Sequence, residues 1–363
     1  MARLSRAELQ ERNRGKVLAA ARAEFAERGF RDAKVDGIAE RAELTRGAVY
    51  SNFPGKRALY FAVLAQDAER TSGGPAPAAG AGVAEALGAF ARAWVARLPL
   101  ATDGQPGARL AADLIPEILA DERTRRPFAQ LMTLDALLLG LALERLRPRD
   151  APARRMVRVA EAALTTLHGA SALAAAAPGF GEPFDVVTVC ERLADLDLDD
   201  TRAPPHLPYV PQARPVDEPW SPPRTVEVLR GEPARLDGDG VVAVLGLHRL
   251  AAAEEAVRAA PAGAGVTVVL VTGDPGELAP LARLAVAELA CCLRRAVPPA
   301  AWPRLQVVCD ESGALAAAAG APAVSDATET AVRVAGGRII ARADGFGACH
   351  AAAVAPSSPR RDG

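Results

Sequence analysis

Residues 34–57, KVDGIAERAELTRGAVYSNFPGKR, constrain this chain more than any other stretch of it. Ile38 and Ala39 supply apolar contacts on a first short helix, Val49 lies on a second, and Phe53 caps the far end of that second helix. Only Ala42-Glu43-Leu44 separates the two, which leaves room for a turn and nothing else. Thr45 stands at the N-cap of the second helix, where a hydroxyl accepts from a backbone N–H one turn on. The pattern predicts a helix-turn-helix whose second helix exposes Arg46, Gly47, Tyr50, Ser51 and Asn52, a shape that suits a DNA major groove. Thr45, Arg46, Gly47, Tyr50 and Asn52 are then the candidate contacts to phosphates and base edges. Arg46 suits a guanine edge, Tyr50 a phosphate, and Gly47 a close approach of backbone to DNA. Lys56 opens the next helix, where its ammonium and the free N–H groups of the helix start are placed for a phosphate.

The charge balance agrees with a nucleic-acid partner at one end. Residues 1–60 hold 13 Lys/Arg against 8 Asp/Glu, a net of +5, which leaves −6 for the rest of a chain whose total is −1. Arg3, Arg6, Arg12 and Arg14 form a candidate basic arm, with a solvated face as the equally good reading. The three lysines, Lys16, Lys34 and Lys56, all fall in this stretch. The charged N-terminus, MARLSRAELQERNRGK, does not read as a signal peptide, and no run approaches the length of a membrane span, so a cytoplasmic location is expected with no membrane partner. Five cysteines in 363 residues make no disulfide framework.

Three further divisions follow along the chain. Residues 5–28 read as a long helix opened by a Ser5…Glu8 capping box and stopped by Gly29, and a fourth helix runs from Pro54-Gly55 to about residue 71. The tract at 72–82 is a flexible connection. Residues 61–200 read as all-helical, with helices near 83–98, 108–119, 122–147, 153–176 and 184–198. Residues 201–224 contain eight prolines and read as a stiff linker. From 225 to 355 the pattern changes to short β-branched runs at 241–245, 266–271 and 305–308, helices at 250–260 and 277–296, and a hairpin at 330–341. That order, β-α-β-α-β-α-β-β, predicts a three-layer α/β domain, followed by a disordered tail at 356–363. The fold class is therefore multidomain: an all-α part with a three-helix head at 1–60, then an α/β domain.

Residues 14–60 closely resemble the DNA-binding domain of the TetR/AcrR family of one-component transcriptional regulators. The residues that carry the resemblance are Ala20-Ala21, Phe25, Gly29-Phe30, Ile38-Ala39, Ala42, Thr45-Arg46-Gly47, Tyr50, Phe53 and Lys56. Two departures stand out. Glu43 replaces the usual turn glycine, at a cost on the order of 1 kcal/mol if φ there is positive, and Ala33-Lys34 replaces the usual Ser/Thr cap of helix two. The resemblance implies a repressor that binds a palindromic double-stranded operator as a homodimer. It further implies that a small-molecule effector binds in 61–200, and that 153–176 and 184–198 are the dimer helices. Residues 225–355 resemble a thioredoxin/peroxiredoxin-like domain through Gly231…Leu236, Thr272-Gly273-Asp274, Asp310…Gly313, Gly320 and the 337–339 turn. The redox cysteine of that family is missing, because Gly246-Leu247-His248-Arg249-Leu250 follows the first core strand, and Asp326-Ala327-Thr328 stands where a cis-proline belongs.

Other candidates have plainer readings. Cys291-Cys292 suggests a redox or soft-metal sensor, the basis for an alternative role as a redox-linked regulator or thiol-dependent oxidoreductase. Neighbours on a helix point about 100° apart, which favours two small buried hydrophobes instead. His168 is placed to line an effector pocket or to pack at an interface, and Phe90, Trp94, Phe128, Met132 and Leu137 are either pocket wall or core. No His/Cys/Asp spacing supports a metal, and no cofactor or catalytic residue is expected.

Overall fold

The computed structural model describes residues 5–71, 82–98, 110–148, 150, 152, 154–201 and 212–356. Arg3, nearly all of the connection at 72–82, the first half of the proline-rich stretch and all but Ala355-Pro356 of the C-terminal end lie outside these residues. Helix α1 (Arg6–Asp32) begins with the capping box: the Ser5 hydroxyl accepts from the Glu8 N–H, and the Glu8 carboxylate accepts from the Ser5 N–H. Gly29, at φ 73°, breaks the helical run near its end. Helices α2 (Val35–Arg41), α3 (Arg46–Tyr50) and α4 (Lys56–Arg70) complete the head. Phe25, Ile38, Val49, Phe53 and Leu59 are buried between them. Tyr60 joins the head core edge-on to Phe25 at 5.4 Å and against Phe30 at 4.9 Å.

Among the described residues, five helices form the body: α5 (Val83–Val95), α6 (Leu114–Leu119), α7 (Glu122–Leu146), α8 (Val157–Ala176) and α9 (Pro183–Leu193). They overlap the helices read at 83–98, 108–119, 122–147, 153–176 and 184–198. Among the described residues, one helix corrects the expectation that no run is long enough for a membrane. Helix α7 is long and apolar enough to cross one, and 67% of its most apolar window is packed inside the molecule. Its apolarity has a folded use, since Leu131, Leu134, Leu138, Leu139 and Leu143 are fully buried there.

The remainder is an α/β module. It comprises β1 (Arg214–Pro219), a small hairpin of β2 (Val226–Glu227) and β3 (Glu232–Pro233), β4 (Gly240–Gly246), α10 (Ala253–Ala259), β5 (Gly265–Val271), α11 (Leu278–Ala296), β6 (Leu305–Cys309), α12 (Ala314–Ala318), β7 (Glu329–Ala335), β8 (Arg338–Asp344) and α13 (Ala348–Val354). From β4 to β8 this is the predicted order β-α-β-α-β-α-β-β, to which the structure adds α13. The six-stranded sheet has the order β1-β8-β7-β4-β5-β6. β4, β5 and β6 are parallel, while β7, β8 and β1 add on antiparallel.

Strand β1 corrects the reading of 201–224 as linker throughout. Residues 214–219 pair with β8 at the sheet edge, with the register shifting between Pro215 and Glu218. Proline lacks a ladder donor but fits an edge strand, and the extended backbone it favours is already strand-like. The buried Arg342 of β8 fastens the edge, its Nη2 donating to Glu218 at 2.7 Å.

Side chains alternate across a sheet, and here the two faces bury different things. Val242, Val244, Val269, Val271, Val332 and Val334 point into a small core closed by Trp220, Leu236 and Leu315. Val241, Ala243, Leu245, Val266, Val268 and Leu270 point the other way, into a core that continues through α11 and the body to Val17 in α1. The α/β module is therefore not a bead on a string. Helix α11 packs along α4, α5 and α7, so one apolar interior runs through head, body and module.

Candidate nucleic-acid interface

Helix α2 ends in a tight αL turn. The Glu43 N–H donates to the Glu40 carbonyl and the Leu44 N–H to the Ala39 carbonyl, the paired bonds of a Schellman motif. Glu43 occupies the left-handed position of that motif at φ 55°, the only positive φ outside glycine among the described residues. The strain foreseen for a non-glycine residue is thus present, and its side chain, facing Lys16 at 3.6 Å, is 85% exposed and offsets little. Glu43→Gly is expected to raise the unfolding free energy by about 1 kcal/mol, after allowance for glycine's freedom in the unfolded chain. Thermal denaturation reads it, and an unchanged or lowered midpoint would contradict a strained turn.

Thr45 caps α3 as read from the sequence, its Oγ1 accepting from the Ala48 N–H at 3.2 Å, and Val49 anchors the inner face. Lys34, at the N-cap of α2, makes no side-chain cap, as its residue type implies. Thr45, Arg46, Gly47 and Tyr50 all lie exposed on the outer face. A Cβ on Gly47 would meet nothing nearer than the Thr45 hydroxyl at 3.9 Å, so nothing within the chain requires a glycine there. Arg46 lies over the Tyr50 ring at 5.6 Å and 3.4 Å from Asp36, both weak exposed contacts that a stronger anion can replace.

Two of the candidate residues are placed differently from expectation. Asn52 folds back, its Nδ2 donating to the Ala48 carbonyl at 2.8 Å, so its amide closes the end of α3. The Lys56 ammonium turns inward, donating to the carbonyls of Arg31 and Ala33 at 3.1 and 3.0 Å and lying over the Phe30 ring. Both find carbonyls left unpaired at a helix end, which a short recognition helix and the break at Gly29 supply. In the arm, Arg14 packs on Phe53 at 4.7 Å, while Arg6 and Arg12 stay exposed.

Sequence spacing gave no signal for the contacts behind the head. Arg57 donates from Nη2 to Asp121 at 2.8 Å and from Nε to Glu277, so the first turn of α4 is tied at once to the start of α7 and the start of α11. Asp121 also accepts from the Arg123 N–H, and these donors pull its carboxyl down to about 2. The Phe30 N–H donates to Asp113 at 2.8 Å. A Cβ on Gly276 would fall 2.9 Å from Pro54, so the loop before α11 touches the segment that follows the recognition helix.

Within the body, His168 meets Trp94 edge-on at 4.8 Å and Phe128 at 6.1 Å, which gathers three of the residues proposed as pocket wall or core. Burial, aided by the nearby Arg97 charge, pushes the imidazole down from 6.5 to about 4. It binds fewer protons folded than unfolded, so its contribution is full above about pH 6.5 and is lost as pH falls toward 4. His168→Gln is expected to remove on the order of 3 kcal/mol of that acid-dependent loss. Denaturant melts at pH 7.5 and 4.5 test it, and an unchanged pH dependence in the variant would exclude His168 as the source.

Cys291 and Cys292 are both buried on α11, and burial pushes the Cys292 thiol up to about 12 and that of Cys309 likewise. After β4, Arg249 pairs with buried Glu329 and covers Phe346. Among the described residues no group of His, Cys, Asp and Glu is placed to hold a metal ion.

Residues 17–63 match the model of the bacterial regulatory proteins of the tetR family. An uncharacterized HTH-type transcriptional regulator of Pseudomonas putida, TtgW, is 46% identical over 65 residues, which are 18% of this chain and 48% of that protein. The chain thus spans about half the length of the curated relative it matches. Among solved structures, the fatty acid degradation regulator FadR from Bacillus halodurans aligns at 16% identity over 52% of this chain and 99% of its own, with a TM-score of 0.26. NalD, the secondary repressor of the MexAB-OprM multidrug efflux pump in Pseudomonas aeruginosa, aligns at 22% identity over 51% of this chain and 94% of its own, with a TM-score of 0.24. Scores this low carry nothing about the arrangement of the whole chain. The matched proteins are regulators rather than enzymes.

Proposed function

From a tetR-type helix-turn-helix domain at residues 17–63, we propose that this protein is a dimeric, sequence-specific DNA-binding repressor acting in the cytoplasm. One observation carries the reading: within the matched segment, α3 buries Val49 and presents Thr45, Arg46, Gly47 and Tyr50 together on its free side. Arg46 reads a base edge, Tyr50 and Thr45 hold phosphates, and Gly47 lets the backbone close on the groove. With their side chains turned inward, Asn52 and Lys56 serve by shaping the head.

The dimer is assigned to α8 and α9, where Leu173, Phe184 and Val189, with Phe180 in the turn between the helices, are large apolar side chains left exposed. An exposed apolar set of this kind favours a second copy of the same face. Two heads then enter successive grooves of a palindromic operator, and an effector bound in the body beside Trp94, Phe128 and His168 changes their spacing. We read the α/β module, on its β-α-β-α-β-α-β-β order, as a thioredoxin-like domain without redox chemistry.

Selection of bound duplexes from random DNA, followed by anisotropy titrations, tests the reading. A palindrome is expected. Arg46→Ala should lose about 10–100-fold on the selected site while relaxing base preference, whereas Tyr50→Phe should weaken binding to all sequences alike. Enrichment of no site, or variants that bind as the parent does, would remove the docking described here.

A further inference from the structure

Asp135 of α7 is 3% exposed, and its Oδ1, shielded from solvent, has no hydrogen-bond partner among the described residues. A buried carboxyl oxygen without a donor is costly. The charge that bears on it is a like one, the Glu288 carboxylate of α11. Burial and that repulsion together hold the Asp135 carboxyl well above the usual carboxylate range. Burial raises Glu288 as well, against the opposing pull of Arg97. Arg97, just past the end of α5, is the cation of this cluster, and it is loosely held. Its Nη1 lies 3.6 Å from Glu288, its Nη2 reaches the Cys292 thiol at 3.7 Å, and its Nε has no partner. The guanidinium lies over the Trp94 ring at 5.0 Å, and the side chain is 29% exposed. Arg295, further along α11, bears on Cys292 and on neither carboxylate. His168, held down to about 4, is neutral at pH 7. Two carboxyls therefore share one displaceable cation. Phe128 stands seven residues before Asp135 on α7, hence on the same face, and His168 touches both Phe128 and Trp94. The acid pair lies beside an aromatic lining.

We propose that this cluster binds a protonated apolar amine, its ammonium donating to Asp135 and Glu288 in place of Arg97 and its apolar chain against Trp94 and Phe128. The ammonium supplies the donor that Asp135 lacks, and Arg97 swings out to solvent as the amine enters. Glu288 and Cys292 belong to α11, so the α/β module completes a ligand site in the helical body. The class of ligand stands on these side chains; its role as the effector rests on the regulator reading above.

Calorimetric titration of the full chain with 3-phenylpropylamine at pH 7, where the amine is charged, tests the site. One amine per chain is expected, with 3-phenylpropan-1-ol and 3-phenylpropanoate each weaker by about tenfold or more. Asp135→Asn keeps the shape and removes the charge, and should weaken amine binding by about tenfold or more. Glu288→Gln, at a partly exposed position, should weaken it in the same direction. Arg97→Met keeps the apolar stem, removes the competing cation and should tighten it. Absence of amine binding, equal binding of the alcohol, parent-like affinity in folded Asp135→Asn, or weaker binding by folded Arg97→Met overturns the proposal. Operator titrations with and without the amine are read separately. Amine binding with no change in operator affinity overturns only its role as the effector.

Discussion

Leu281→Ala is expected to lower the unfolding free energy by about 2–5 kcal/mol, the range for a leucine truncated in a packed interior. Leu281 lies on α11 and is fully buried in the core that runs from the head to the sheet. The place of the loss matters as much as its size. Because α11 packs along α4, α5 and α7, the cavity weakens all three parts together. Hydrogen exchange should show protection falling in α4 and α7 as well as in the strands. A loss confined to residues after 212, with α4 and α7 protected as in the parent, would mean that the module folds apart from the helices.

Arg57→Ala is the second large effect. It leaves Asp121 and Glu277 facing one another without the cation they share, and these side chains are only 25% and 17% exposed. Breaking such a network from one side costs about 3–5 kcal/mol when it is fully buried, and partial solvent access reduces that to about 2 kcal/mol here. The head should then turn more freely on the body, which lowers operator affinity while Arg46 and Tyr50 keep their places on α3. Arg57→Lys restores charge but not the two-way fork, and should recover only part of both losses. Unchanged stability and unchanged operator binding in Arg57→Ala would show that the triad carries no mechanical load. Acid works on the same contact: the Asp121 carboxyl, held at about 2 against an ordinary 3.8, keeps the tie above about pH 4 and surrenders it as pH falls toward 2.

Much of the fold was legible because its signals are local. The capping box at Ser5 and Glu8, the cap at Thr45, the break at Gly29 and the turn at Ala42-Glu43-Leu44 each involve residues within a few positions of one another and follow from the sequence, while the positive φ of Glu43 follows only conditionally. The strands of the α/β module were legible from β-branched runs buried on both faces. The site was legible in part. Thr45, Arg46, Gly47 and Tyr50 share an exposed face because helical spacing dictates it. The placement of the Asn52 and Lys56 side chains was not legible, because their partners, the carbonyls of Ala48 and of Arg31 and Ala33, become available only once the helix ends are in place. The strand at 214–219 within the proline-rich stretch was not legible, since composition fixes an extended backbone but not whether a neighbouring strand is there to pair with it.

What the sequence by itself determined is the kind of head this chain carries and the order of its helices and strands, since caps, turns and apolar periods act over one or two turns of chain. What only the tertiary structure decided is that head, body and α/β module share one interior and that Arg57 joins all three. Those contacts span 64 and 220 positions along the chain, and no local pattern records which distant carboxylates a guanidinium will meet.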